Sequence, residues 1–370
     1  MMIDWRTHTV IFRPFGTAHS HPVYTINNFP STLPDELPLP NGRAVIVADM
    51  QLPEAQISEI GRLFCQGRPA PAVVKVDLSG GKDLKALTSI CQALVDLRPG
   101  LIVGVGGGTV RDLSGFAAAI YRRGSPYVLF PTTTVAMVDA CIGGKTAIDF
   151  GGTKNILGAF HHPLGVINIL SFLDTLPDHD LRSGLVEVAK IGVVANAALV
   201  GRLRRWAASP TTIQRQQLAS LVSDACAAKA RVLEQPPEHH AIPMYGHVVG
   251  EAIELIGWPR RRHTDCVAIG MSVEGLLACQ LGYWPQGAWE EQMQLLGALR
   301  LDTRIPADVS LDAMVESLHH DKLATEEHFR FVLPAAIGEV ARPDGTPFIR
   351  IPRTAIRKAL APVFAALTGA

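Results

Sequence analysis

The stretch from 43 to 134 constrains the fold more than any other part of this chain. RAVIVADM is a short β-branched run ending at Asp49, and LPEAQISEIGRLFCQG after it repeats apolar residues at helical spacing. PAVVKVDL reads as a second strand, GKDLKALTSICQALVDL as a second helix, and LIVGVGGG as a third strand that ends in a glycine turn. A helix over 109 to 121 and a fourth strand in SPYVLFPTTT continue the alternation. Strands this short and this uniformly apolar, joined by helices, fit a parallel sheet covered on both faces.

Gly104, Gly106, Gly107 and Gly108 lie between strand and helix, where backbone N–H groups and a helix N-terminus can face a diphosphate with no Cβ in the way. The pattern is not GxGxxG, so a plain structural turn is the competing reading. Asp49 at a strand end can accept from a ribose hydroxyl or simply cap the next helix. The threonines of PTTT at 131 to 134 offer hydroxyls at the sheet edge where ligands of open α/β folds collect.

Beyond about Leu176 strand-like runs thin out, and LRSGLVEVAKIGVVANAALVGRLRRWA, TIQRQQLASLVSDACAAKARVLE and CVAIGMSVEGLLACQLG carry helical periodicity. Two domains follow: an α/β domain over 1–172 and an all-α domain over 173–370. The 370 residues are electrically balanced, with 34 Lys+Arg against 34 Asp+Glu, and no basic run exceeds Arg260-Arg261-Arg262. Nucleic acid and anionic bilayers are therefore not expected partners. With 48% apolar and 18% charged residues the chain can build a substantial core. Six scattered cysteines without a CxxC pair, and an N-terminus lacking a continuous apolar segment, point to the reducing cytoplasm.

Several polar groups interrupt this apolar text. Glu187 and Lys190 share a helix face at i,i+3 between apolar flanks, either a surface pair or a buried one. His247 and Glu251 stand at i,i+4, and His263 opens another apolar helix. A carboxylate and two imidazoles make a ligand set for a catalytic divalent metal, while a capping and a core histidine are the bland alternative. The densest region, VDACIGGKTAIDFGGTKNILGAFHHP, strings Asp139, Lys145, Lys154 and Asn155 among glycines and suits a loop closing over an anion. Arg123 and Lys229 are further candidates for phosphate or hydroxyl contacts.

GGGTVRDLSGFAAAIYRRG, PTTTVAMVDACIGGKTAIDFGGTKNILGAFHHP, LSFLDTLPDHDLRSGLVEVAKIG, GHVVGEAIE and HTDCVAIGM resemble, in order and spacing, the sugar phosphate cyclase superfamily, whose best-known member is 3-dehydroquinate synthase. HHDKLATEEHFRFVLPAAIGEV resembles its final segment. The resemblance implies an NAD-binding α/β domain, an all-α metal- and substrate-binding domain, and zinc, with cobalt as a substitute, on Glu187, His247 and His263. It puts Asp139, Lys145, Lys154, Asn155, Lys190 and Lys229 against a phosphorylated sugar. It assigns Asp49, Lys85, Gly106, Gly107, Gly108, Asp112, Thr132, Thr133, Lys145, Lys154, Phe172 and Thr175 to the NAD site. Arg123 matches a phosphate-binding arginine lent to the neighbouring subunit, which implies a homodimer, and Lys322 matches the lysine of a late DK pair.

Departures concern the substrate. Quinate-forming members read LRxLLNxGHTxGHAIE, whereas EHHAIPMYGHVVGEAIE lacks the carboxylate-associated arginine and puts Glu251 in place of the second histidine. The GExxK of the nucleotide region is GKDLK, with Lys82 in place of the acid. The expected activity is phosphate-eliminating cyclisation of sedoheptulose 7-phosphate to a valiolone-type ketone, with Glu251 accepting from a sugar hydroxyl. The alternatives are 3-dehydroquinate synthase, 2-deoxy-scyllo-inosose synthase and an alcohol dehydrogenase of the glycerol dehydrogenase type.

Overall fold

The computed structural model describes residues 5–12, 19–209, 211–258 and 260–368. Residues 1–4 lie outside them, as do 13–18, which fall within the stretch 8–40 that the sequence reads as short strands and irregular chain. Two compact units emerge: one runs up to Pro177 and adds Leu218–Glu234, and the other takes Asp178–Gln217 and everything from Gln235 onward.

The first unit is built on a seven-stranded sheet. In chain order its elements are β1 (Arg6–Phe12), β2 (His19–Ile26), β3 (Ala44–Asp49), α1 (Glu54–Phe64), β4 (Ala72–Val76), α2 (Leu84–Leu97), β5 (Leu101–Gly106), α3 (Gly108–Ile120) and β6 (Tyr127–Pro131). A separate pair, β7 (Lys145–Phe150) and β8 (Thr153–Phe160), precedes the last strand of the main sheet, β9 (Gly165–Ile169). The sheet order is β1-β2-β9-β6-β5-β3-β4, parallel throughout except for the β1–β2 pair. Strands β5, β6 and β9 are buried at every residue, as strands covered on both faces must be, whereas edge strand β4 alternates. Amphipathic α1 buries Ile57, Ile60, Leu63 and Phe64, and α2 buries Leu87, Ile90 and Leu94.

Two of the glycines at the end of β5 are there for packing. A Cβ on Gly104 would fall 2.3 Å from Ser114 Oγ, and one on Gly106 would fall 2.5 Å from Val110, so α3 lies against β5 only because both lack a side chain. Gly107 caps α3 with no side-chain hydrogen bond.

The polar segment expected to be a loop is instead the antiparallel hairpin β7–β8. Phe150 pairs with Thr153 across a two-residue turn, and Gly151 and Gly152 both take positive φ, 59° and 78°, the backbone a type I′ turn demands. Charges alternating with apolar residues belong to a half-exposed strand here, which is why they read as a loop.

The second unit is mostly helical. It contains α4 (Asp178–Gly184), α5 (Val186–Ala195), α6 (Ala197–Ala208) and the start of α7 (Thr211–Leu233), then α8 (His247–Ile256), α9 (His263–Gln280), α10 (Gln286–Ala298), α11 (Leu311–Ser317) and α12 (Ile356–Leu367). Two short antiparallel pairs supplement the helices: His328–Phe331 with Ile349–Pro352, and Pro334–Ala336 with Glu339–Val340. The long helical run beginning at Leu181 is interrupted at Leu185 and Asn196, so Glu187 sits in the first turn of α5. No helix among the described residues is long and apolar enough to cross a membrane.

Candidate active site

In the helical unit, Glu187 on α5, His247 at the start of α8 and His263 at the start of α9 converge, with one ligand atom from each within 4.8 Å of the others. Glu187 Oε1 is 3.8 Å from His247 Nε2, and the two imidazole centroids are 5.2 Å apart. Zinc bonds of roughly 2.0–2.2 Å would bring such atoms to roughly 3–4 Å from one another, so the group is drawn slightly wider than a filled site would hold it.

Three observations fit a divalent cation. Glu187 is 2% exposed, and its Oε1, the oxygen that faces His247 rather than Lys190, accepts no hydrogen bond, a costly state that a cation would relieve. His263 Nδ1 stands 2.9 Å from Glu254 Oε2, which presents Nε2 as the ligand atom. The Nδ1 of His247 is 3.3 Å from Tyr245 O, which turns its Nε2 toward Glu187. Carboxylate and carbonyl partners of this kind orient metal-binding imidazoles and strengthen them as ligands.

The surroundings are charged. Lys190, 1% exposed, forms an ion pair with Glu187 Oε2. Lys322 Nζ lies 3.1 Å from Glu251 Oε1. Burial lowers the His263 pKa, but the carboxylates of Glu254, Glu187 and Glu251 outweigh it, and the net shift is upward from 6.5. The metal-free site therefore holds a proton on His263 more tightly than a free imidazole would, and metal competes with that proton. Zinc affinity is expected to fall about tenfold per pH unit on acidification, with an onset above pH 6.5. Competition titrations of metal-free protein at successive pH values check this, and a flat profile from about pH 8 to about pH 6 would contradict it.

Within the α/β unit, Lys229 on α7 is 9% exposed and holds Asp139 twice, at Oδ1 (2.6 Å) and at the main-chain oxygen (2.8 Å). Asp139 sits in a short π-helical turn, Ala136–Ala140. Asp112, 5% exposed, is engaged internally: Ala147 N donates to its Oδ1 at 3.2 Å, and Arg111 and Lys82 pair with it at 2.9 and 2.5 Å. Lys145 and Asn155 are exposed on the hairpin and Lys154 is half-buried.

Asp49 Oδ1 accepts from Gln51 N at 2.9 Å, and Thr133 Oγ1 accepts from Ala136 N at 3.3 Å. Thr132 is buried, its N–H donating to Gly106 O, and Lys85 is exposed in the first turn of α2. Phe172 is a core residue, 2% exposed and stacked edge-on against Phe29, while Thr175 donates to Phe172 O. Arg123 is exposed with φ 64°.

Residues 74–183 match the model of the 3-dehydroquinate synthase N-terminal domain, and residues 184–324 match that of its C-terminal domain. The chain belongs to the 3-dehydroquinate synthase family. It is accordingly an enzyme of the sugar phosphate cyclase superfamily. A family relative, the 3-dehydroquinate synthase of Microcystis aeruginosa (strain NIES-843 / IAM M-2473), is 36% identical over 297 residues, 77% of this chain and 80% of that one.

The family fold is also that of two solved structures. One is 2-deoxy-scyllo-inosose synthase complexed with carbaglucose-6-phosphate, NAD+ and Co2+, at TM-score 0.77 and 20% identity over 96% of this chain and 99% of that chain. The other is 2-epi-5-epi-valiolone synthase from Streptomyces hygroscopicus subsp. jinggangensis 5008 with NAD+ and Zn2+ bound, at TM-score 0.78 and 24% identity over 95% and 98%.

Two supporting residues of this family member escaped the sequence. Glu254 lies seven positions after His247 on the same helix, but its bond to His263 spans a turn of chain that periodicity does not reveal. Glu274, fully buried on α9, accepts from Gly246 N (2.7 Å) and Val249 N (2.9 Å) and so caps the helix that His247 begins. Burial pushes its carboxyl up to about 8, against the pull of those two hydrogen bonds. Glu254→Gln keeps an acceptor beside His263 but removes the charge, and is expected to weaken zinc binding about 10–100-fold. Chelator competition measures this, and wild-type affinity in the variant would remove Glu254 from the metal site.

Proposed function

We propose that this chain is an NAD- and divalent-metal-dependent cyclase that converts a sugar 7-phosphate, with sedoheptulose 7-phosphate as first candidate, into a valiolone-type cyclitol ketone. Phosphate leaves during a sequence of transient oxidation, β-elimination, re-reduction and intramolecular aldol closure. The observation that carries the reading is the buried Glu187 carboxylate, its Oε1 without a hydrogen bond and facing two imidazoles whose opposite nitrogens are held. Glu187, His247 and His263 would hold a divalent ion, which supplies Lewis acidity toward a substrate oxygen. NAD at the glycine turn of α3 supplies a reversible hydride acceptor.

The protein's own groups do the positioning. Lys229, its ammonium fixed by Asp139, and Lys190, fixed by Glu187, offer their remaining N–H donors to ring hydroxyls. Lys145, Asn155 and Arg123 supply the donors that orient and neutralise the departing phosphate. Lys154 steadies the developing oxyanion. In this reading Arg123, exposed on a left-handed backbone, serves the neighbouring subunit of a homodimer. Glu251 is already partnered by Lys322, and in this reading its carboxylate also accepts from a sugar hydroxyl.

A second reading, 3-dehydroquinate synthase, is favoured by the 36% identity to the Microcystis protein of that name and by Arg342. Its Nη1 is 3.1 Å from His239 Nε2, in the turn Pro237–Met244 where the quinate-type arginine has no counterpart. A phosphate-release screen with NAD and zinc over sedoheptulose 7-phosphate, glucose 6-phosphate and the carboxylated heptulosonate 7-phosphate decides between them, with carbon NMR of the product. Fastest release from sedoheptulose 7-phosphate supports the first reading. Preference for the carboxylated sugar replaces it with the second, and no release from any sugar overturns both.

A further inference from the structure

Lys82 grips both strands of the β7–β8 hairpin at once. The hairpin register shifts between Ile148 and Phe150, and the N–H of Asp149 at that irregularity donates to Lys82 O at 2.9 Å. On the other strand Asn155 Oδ1 accepts from Lys82 Nζ. The same ammonium lies 2.5 Å from Asp112 Oδ2, one turn into α3, the helix that starts at the glycine turn. Asn155 holds φ 55°, a left-handed conformation that asparagine tolerates but that surrounding bonds must maintain. Asp149 Oδ1, accepting from Asn155 N at 2.8 Å, and Lys82 are the bonds that do so.

On α3 itself, Arg111 donates to Lys145 O, and Asp112 accepts from Ala147 N. These bonds hold only β7. Lys82 reaches from the α2 loop both to α3 and to β8, the strand that carries Lys154 and Asn155.

We propose that Lys82 is a positioning residue: it ties β8 to the second turn of α3, so that the hairpin's polar groups keep a fixed place relative to the nucleotide turn. The tie itself stands on these bonds. Its consequence for turnover rests on the proposed function, which assigns Lys145, Lys154 and Asn155 to the substrate.

Amide hydrogen exchange of Lys82→Met in the full chain, without ligands, tests the tie. Exchange over 145–160 is expected to rise about tenfold or more while β5 and β6 stay as in the wild type, since a charge-assisted bond is lost locally. Lys82→Arg, which retains a cation and donors, is expected to restore most of the protection. If Asn155 is where Lys82 acts, the double variant Lys82→Met with Asn155→Ala loosens the hairpin no further than the worse single change.

Turnover then reads the consequence: kcat of Lys82→Met is expected to fall about tenfold while Lys82→Arg keeps most of it, a rescue that follows the hairpin's protection. Unchanged hairpin exchange in a folded Lys82→Met protein overturns the tie, as does strict additivity in the double variant. A wild-type chain inactive on every sugar phosphate overturns the functional reading and leaves the exchange result to judge the tie.

Discussion

Glu187→Gln is expected to abolish stoichiometric metal binding and to lower the rate of phosphate release by about a thousandfold or more, since Lewis-acid stabilisation of a developing charge is worth several kcal/mol. The reasoning is electrostatic. A divalent ion bound by two neutral imidazoles and one carboxylate has a single formal negative charge in its ligand set, and glutamine removes it while keeping the shape. Glu187 is buried and is the single acid of α5, so no other carboxylate on that helix can take its place. Metal analysis of purified protein together with a phosphate assay measures both effects. Retained zinc with lost turnover would mean that Glu187 serves the substrate and not the ion.

Lys190→Met is expected to behave in the opposite way toward metal. In the metal-free protein the ammonium compensates a carboxylate that is 2% exposed, and deleting one member of such a buried pair costs about 3–5 kcal/mol. The metal-free variant should therefore melt well below wild type. Zinc should recover most of the loss, because the ion supplies the missing positive charge, and its affinity should equal or exceed that of wild type once the competing ammonium is gone. Turnover should stay low even when the site is loaded, since Lys190 is assigned to ring hydroxyls. Thermal melts with and without zinc separate these effects. Weakened zinc binding in Lys190→Met would contradict the assignment of Glu187 as the shared partner of lysine and metal.

The contrast between these two neighbours shows what could be read before any coordinates. Strands β3, β4, β5 and β6 announce themselves as β-branched runs closed by turns, and the Glu187, His247 and His263 set is named by residue type once the family blocks are noticed. Strand β9 is harder, because GVINI is five residues with no alternation. The hairpin is hidden for another reason: Gly151-Gly152 is a strong turn signal, but the lysines around it draw attention to charge rather than to period two.

Partners that act through space leave no periodic trace at all. Glu274 caps α8 from 28 residues beyond Gly246, and Lys82 meets Asn155 across 73 residues. Departure from the family pattern was the one visible sign at Lys82, and by itself it gave no hint that the side chain turns toward the hairpin. In the same way, i,i+3 spacing brings Glu187 and Lys190 onto one face but leaves open whether that face is wet. Burial settles it, and with burial the pair changes from surface decoration to the electrostatic centre of the site.

The most direct test of the account counts phosphate released per NAD supplied. With zinc-loaded protein, excess sugar 7-phosphate and NAD far below the substrate concentration, hydride borrowed in the first half of the reaction must be returned in the second. The prediction is many phosphates per NAD with no net accumulation of NADH. One NADH formed for each substrate consumed, with the phosphate still attached to the product, would make the chain a dehydrogenase and contradict the account.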